Sequence, residues 1–171
     1  LEPKDLNQPK GHVKFSNVYF GYRKDVNILK DISFEARSGE SIALVGPTGA
    51  GKTTIVNLLT RFYDVTSGSI YIDGVDIREY TRDSLRRCFG IVLQDTYLFT
   101  GSIKENIKYG NLNSSDIEVR SAAKMANAHE FIRRLPMGYD TLLSESGSNL
   151  SQGQRQLLAI ARAILTNPSI L

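Results

Sequence analysis

Gly46-Pro47-Thr48-Gly49-Ala50-Gly51-Lys52-Thr53-Thr54 is the stretch on which the reading of this chain turns. Gly46, Gly51, Lys52 and Thr53 occupy the fixed positions of the pattern G-x-x-x-x-G-K-[ST]. Each residue type has a physical reason. Glycines let the backbone turn with successive N–H groups pointing inward, which makes a nest for phosphate oxygens. A helix that starts at the lysine aims its positive end at the same anion. The Lys52 ammonium is expected on the β and γ phosphates, and the Thr53 hydroxyl on Mg²⁺. At average residue frequencies the pattern arises about 4 × 10⁻⁵ times per starting position, or roughly 0.006 times in a chain of this length. A chance glycine-rich loop with a surface lysine is therefore a poor account. Residues 46–54 are read as the cradle of a nucleoside triphosphate held with magnesium.

The flanks agree. Ser41-Ile42-Ala43-Leu44-Val45 is a short apolar run of the kind that forms a buried parallel strand. From Lys52 to Tyr63 a helix is expected, with Ile55, Leu58, Leu59 and Phe62 along one face. Upstream, His12 to Ala36 alternates apolar and polar residues in two runs separated by a turn at Gly21 to Asn27, which predicts two strands. Ser67 to Gly74 predicts a hairpin-like strand and turn, Asp83 to Cys88 a short helix, and Phe89 to Leu93 a second buried strand. Beyond Asp95 the character changes to helices and loops. Ser115 with Glu118 and Ser151 with Gln154 are capping boxes, opening helices to about Ala128 and to Thr166.

Composition excludes several classes. The 171 residues predict about one domain. The net charge of +3 is spread rather than clustered, so a nucleic-acid face is not indicated. Cys88 is alone, and His12 and His129 are far apart, so neither a disulfide framework nor a Cys/His metal site is expected. The longest apolar run, Leu157–Leu165, is interrupted by Arg162 and falls short of the ~18 residues of a membrane span. Nothing at the start has the character of a signal peptide. The D-x-x-G and N-K-x-D elements of a GTPase do not occur, whereas a nucleotide kinase is conceivable on the loop alone. The chain opens on a polar, Pro-bearing stretch without Met and stops at Asn167-Pro-Ser-Ile-Leu171. Part of a longer polypeptide is expected, with residues 1–10 as a linker.

Two further stretches narrow the class: Gly90-Ile-Val-Leu-Gln94-Asp-Thr-Tyr-Leu-Phe-Thr-Gly-Ser-Ile-Lys-Glu-Asn-Ile107, and Leu150-Ser-Gln-Gly-Gln154 followed by Arg155-Gln-Leu-Leu-Ala-Ile-Ala-Arg-Ala-Ile-Leu165. Together with the phosphate loop they resemble the nucleotide-binding domain of an ATP-binding cassette transporter of the exporter type, from about Gly11 to Leu171. The resemblance implies an α/β fold: a RecA-like P-loop NTPase core, an antiparallel β subdomain and a helical signature subdomain, incomplete at the C-terminus. Residues 11–94 and about 159–171 would form the core and β subdomain, about 95–158 the helical one, and 1–10 the linker from a preceding membrane domain.

The same resemblance assigns roles. Tyr22 would stack on the adenine ring, as suits a flat, uncharged base. Lys52 and Gln94 would be the catalytic groups in this chain, the Gln94 amide approaching Mg²⁺ and the attacking water as neutral acceptor and donor. Gly46, Pro47, Thr48, Gly49, Ala50, Gly51, Lys52, Thr53 and Thr54 would hold ATP, with Thr53 and Gln94 on the metal. Ser151, Gly153 and Gln154 would form the signature motif, which contacts ATP held by a second nucleotide-binding domain arranged head to tail. A capped helix start with a hydroxyl and free N–H groups is itself an anion site, so capping and ATP contact are compatible. Gln152 stands where the family has a second signature glycine; it is tolerated if it is the first helical residue and strained if the backbone there needs φ > 0. Residues 95–107 and 144–147 resemble segments that touch the transmembrane domain, with Glu145 as a candidate charge and Ser146 where Arg is more common. Cys88 and His129 have only structural readings, a half-buried thiol and a helix-surface histidine.

The resemblance also implies what should follow Leu171: a strand ending in Asp-Glu, whose Glu is the general base, and later a switch histidine. Without a general base, a loss of about 10²–10⁴-fold is typical, so this chain alone is expected to hydrolyse ATP negligibly and to be marginally stable. The parent is expected to be an ATP-driven exporter in a cell membrane, with this part on the cytoplasmic face and no nucleic-acid partner. A soluble module of the same superfamily, acting in DNA repair or translation, and a non-hydrolysing regulatory cassette are the alternatives.

Overall fold

The alternation of Val13, Phe15, Val18 and Phe20 builds the first strand, and it carries a defect that decides the packing. In a computed structural model that describes residues 3–23, 25–144 and 147–171, strand β1 (Val13–Phe20) pairs antiparallel with β2 (Leu29–Ala36) and with β3 (Ser67–Ile72). A strict period of two would turn Asn17 inward. Instead Asn17 adopts φ 47° at a register shift between Phe15 and Val18, a bulge that keeps Val18 and Phe20 in the core. Gly68 opposite is required: a Cβ there would lie 2.2 Å from the Asn17 carbonyl oxygen. β4 (Val75–Asp76) completes the sheet in the order β2-β1-β3-β4, joined to β3 through Asp73 and Gly74, both at positive φ.

The residues to Phe89, with Ile170, form one compact unit. Phe15 stacks on Phe34 at 4.5 Å, and Ile70, Ile72, Leu58 and Leu85 close the same core. Leu58 comes from helix α1 (Lys52–Leu59), and Leu85 from α2 (Arg82–Arg87), whose Thr81 hydroxyl accepts from the Ser84 N–H. α1 stops short of the expected Tyr63. The Thr60 hydroxyl bonds back to the Val56 carbonyl at 2.9 Å, and Arg61 at φ 54° leaves the helical region, so Phe62 is exposed beneath Arg86 instead of on the buried face.

Two expected strands are not formed. Residues 41–45 have no regular secondary structure and are exposed, with Val45 93% accessible. At residues 89–93 only the parallel bridge Phe89↔Ile170 forms, closed by the Ile170 N–H on the Cys88 carbonyl at 3.0 Å. A parallel strand exists only by pairing on its edges; among the described residues 41–45 pairs with nothing, and 89–93 meets only Ile170. Residues 3–10, expected as a linker, are tied down. The Lys4 N–H donates to the Glu79 carbonyl at 2.7 Å, the Thr81 N–H to the Lys4 carbonyl at 2.9 Å and the Leu6 N–H to the Ser84 hydroxyl at 2.9 Å.

The second unit comprises Gly90–Ser169 and Leu171. Its helices are α3 (Ile103–Lys108), α4 (Asp116–Met125), α5 (His129–Arg134) and α6 (Gln152–Leu165). β5 (Gly101–Ser102) and β6 (Leu142–Leu143) form a two-stranded ribbon that the apolar pattern did not announce. Ile103, Ile107, Val119, Ala123, Ile132, Leu158 and Ala161 share one core. α6 packs along its length with α3 and α4, so residues 159–169 group with the helical unit instead of returning to the first one. No helix among the described residues is long and apolar enough to cross a membrane.

Candidate functional site

The phosphate-loop stretch keeps its backbone open. Gly49 (φ 85°) and Gly51 (φ 91°) take the left-handed conformation, and Gly51 is the N-cap of α1 with no side-chain cap. The first-turn N–H groups, from Lys52 to Thr54, have no partner within the helix by its geometry. Ala50 closes a turn by donating to the Pro47 carbonyl at 3.2 Å. A Cβ on Gly51 would lie 2.6 Å from Leu29 Cδ2, and one on Gly46 would lie 3.1 Å from Ala50 Cβ. The loop from Gly46 to Ala50 is exposed. Lys52 folds over its mouth: Nζ donates to the Gly46 carbonyl at 2.7 Å and to the Pro47 carbonyl at 2.8 Å. The ammonium is thus held at the mouth by two carbonyl acceptors, beside the first-turn N–H donors and Thr53, and a polyanion could draw it onto itself.

Tyr22 is brought to the same place. Its hydroxyl lies 3.3 Å from Thr54 Oγ1, and Asn57 Nδ2 donates to it at 3.4 Å. Its ring is 48% exposed and meets Phe20 and Tyr63 in T-shaped contacts at 5.0 and 5.1 Å. A half-exposed aromatic anchored to the phosphate-loop helix can stack on a base. Tyr63 and Asn57 are site neighbours that the sequence reading missed; Tyr63 was counted only as the end of a helix.

Gln94, Ser151, Gly153 and Gln154 all lie in the second unit. Gln94 is exposed in a bend. Ser151 caps α6 in a reciprocal box: the Ser151 N–H donates to Gln154 Oε1 at 2.9 Å, and the Gln154 N–H to Ser151 Oγ at 3.2 Å. Gln152 is the first helical residue and is not at positive φ, so its departure from glycine carries no backbone strain. A Cβ on Gly153 would meet nothing within 4 Å. Glu145 and Ser146 lie outside the described residues.

The other candidates have local roles. Cys88 is fully buried instead of half-buried; its Sγ donates to the Leu85 carbonyl, and burial pushes the thiol up to about 11, which makes it unreactive near neutrality. His129 is not a free surface histidine: its Nδ1 lies 2.8 Å from the Tyr139 hydroxyl. Among the described residues no group of three or more His, Cys, Asp or Glu side chains could hold a metal. The Thr53 hydroxyl at the loop is a neutral oxygen donor, and it fits Mg²⁺ whose charge is met mainly by phosphates and water.

Comparison with known proteins agrees with this geometry. A family model described as "ABC transporter" matches residues 29–171. The uncharacterized ABC transporter ATP-binding protein YfiC of Bacillus subtilis is 56% identical over 99% of this chain and 28% of its own length. The beta-(1-->2)glucan export ATP-binding/permease protein NdvA of Brucella suis is 50% identical over 98% of the chain and 28% of its own length. The fatty acid ABC transporter ATP-binding/permease protein of Mycobacterium tuberculosis is 46% identical, again with 28% of its length covered. A solved bacterial Atm1-family ABC exporter with ATP bound superposes with a TM-score of 0.86 at 48% identity, covering 98% of this chain and 30% of that one. The chain thus spans under a third of the proteins it matches.

Proposed function

The chain belongs to the ABC transporter family, and from that premise we propose that it binds and helps to hydrolyse ATP in an exporter whose remaining parts lie outside residues 1–171. Its fold is that of an ABC exporter nucleotide-binding domain. One observation carries the proposal: an uncapped helix start, two left-handed glycines and the Lys52 ammonium converge on one exposed loop mouth. That arrangement recognises terminal phosphates.

In this reading Tyr22 stacks on the adenine, and the N–H groups from Gly49 to Thr54 hold the phosphates. Thr53 and Gln94 would hold magnesium, which would neutralise phosphate charge there. Lys52 holds its charge beside the transferred phosphoryl group. Gln94 orients the attacking water, which a neutral amide can do without taking the proton. None of Tyr22, Lys52, Thr53, Gln94 and Ser151 is a carboxylate or imidazole suited to take that proton near neutrality. In this reading residues 1–171 alone bind ATP without hydrolysing it appreciably. The exposed Ser151 turn covers the ATP of a second copy arranged head to tail, which makes closure depend on nucleotide at the interface.

Relatives named as ATP-binding/permease proteins, one of them for glucan export, favour transport over a soluble module. In this reading the intact protein sits in a membrane with this part on the cytoplasmic face, adjoining a transmembrane domain. The test is Lys52→Ala in the intact protein. ATPase activity is expected to fall by about 10² or more, the order seen when a preorganised charge contact is removed. Turnover at the unmutated rate refutes the assignment.

A further inference from the structure

Arg162 interrupts the apolar face of α6 and is half-buried inside the second unit. Among the described residues its three hydrogen bonds go to neutral oxygens. Nε donates to the Asn106 carbonyl at 2.9 Å, Nη2 to Asn106 Oδ1 at 3.1 Å and Nη1 to the Tyr97 carbonyl at 3.1 Å. The guanidinium also lies 5.2 Å from the Phe99 ring centroid and 5.6 Å from that of Tyr109. Asn106 is buried and clamps the same segment: its Oδ1 accepts from the Phe99 N–H at 2.8 Å, and its Nδ2 donates to the Phe99 carbonyl at 2.9 Å. A half-buried charge whose hydrogen-bond partners among the described residues are all neutral is costly. A planar fork bridging two carbonyls and resting on two rings offsets that cost in a way that a lysine point charge cannot.

What the fork joins is informative. Tyr97 follows Gln94 by three residues, and Arg162 lies on the helix that Ser151 caps, about 16 Å along its axis. We propose that Arg162 is a positioning residue for ATP hydrolysis: it fixes the segment after Gln94 to the Ser151 helix, so that the two nucleotide-facing groups are held in one piece. The proposal rests on the reading that Gln94 and Ser151 face nucleotide.

The test uses the intact protein carrying Arg162→Lys, which keeps the charge and loses the fork. kcat is expected to fall about ten- to a hundredfold, as misplacement of a catalytic group does. Affinity for a fluorescent ATP analogue should change by less than about twofold, because the interaction lost is not a binding one. Hydrogen exchange should speed up at residues 97–102 and stay unchanged in α4. Phe99→Leu, which removes a ring from the guanidinium, should move kcat in the same direction by a smaller factor. An unchanged kcat overturns the proposal. So does a parallel loss of kcat, affinity and α4 protection, since that pattern marks Arg162 as an ordinary fold residue. Gln94→Ala tests the premise separately: normal turnover in that variant removes the functional reading of Gln94, whatever Arg162→Lys does, and takes the proposal with it.

Discussion

Two glycines of the candidate site differ in what they leave room for, and the difference separates fold from ligand contact. Gly51 is at φ 91° with Leu29 Cδ2 only 2.6 Å from where a Cβ would sit. Gly51→Ala therefore combines a left-handed backbone with a clash in the core below it. A stability loss of about 1–3 kcal/mol is expected, with weakened nucleotide binding, in urea unfolding and nucleotide titration. Gly153 lies in the first turn of α6, at ordinary φ, with open space around it. Gly153→Ala should leave stability unchanged or raise it by up to about 1 kcal/mol. If its ATPase activity nevertheless drops, the added methyl is meeting something that the folded chain itself does not contain. An unchanged ATPase rate would count against a nucleotide contact at this turn. The phosphate-loop residues were legible in the sequence because each fixed position has its own chemical reason. Arg162 was not: in a linear reading it only interrupts an apolar run, and its partners Tyr97 and Asn106 are over fifty residues away.

At the scale of elements, three helices open on capping boxes that differ in one respect. α3 and α4 use Glu105 and Glu118, while α6 uses Gln154. The Ser102 backbone N–H and hydroxyl hold the Glu105 carboxyl below its usual value, and Ser115 does the same for Glu118. A carboxylate depressed in the folded state contributes stability that is complete above its unfolded value and is lost as pH falls through the folded one. Acidification below about pH 4.5, the ordinary carboxyl value, should therefore loosen the starts of α3 and α4 before that of α6. Hydrogen exchange across an acid series measures this, and Glu118→Gln should flatten the α4 response. Equal acid sensitivity in all three helices would contradict it. The boxes at Ser115 and Ser151 were readable because a cap is a local device, complete within four residues. The β5–β6 ribbon was not, since two residues per strand carry no period. The strands expected at 41–45 and 89–93 failed for the opposite reason: apolar runs specify a tendency to be buried, but a parallel strand needs partners that no local pattern supplies.

Those two runs set the behaviour of the whole molecule. Each unit has its own core, yet the first exposes Ile42, Leu44 and Val45, and the second exposes Ile91 and Leu93, 67% accessible. Extended apolar backbone with free N–H and C=O groups is a template for strand addition. Apolar patches left in this state on soluble chains mark places where other polypeptide packs. The ABC transporter relatives are more than three times as long as the residues they share with this chain. Purified residues 1–171 should consequently bind a hydrophobic dye and self-associate with rising concentration. The intact protein should bind less dye per copy of this sequence. Val45→Lys and Leu93→Lys together should reduce both effects in the 171-residue chain and leave its unfolding transition unchanged, because neither side chain belongs to either core. Sedimentation that shows a monomer at all concentrations, with no dye bound, would mean that the two runs are satisfied within the chain. The explanation for the unformed strands would then be wrong.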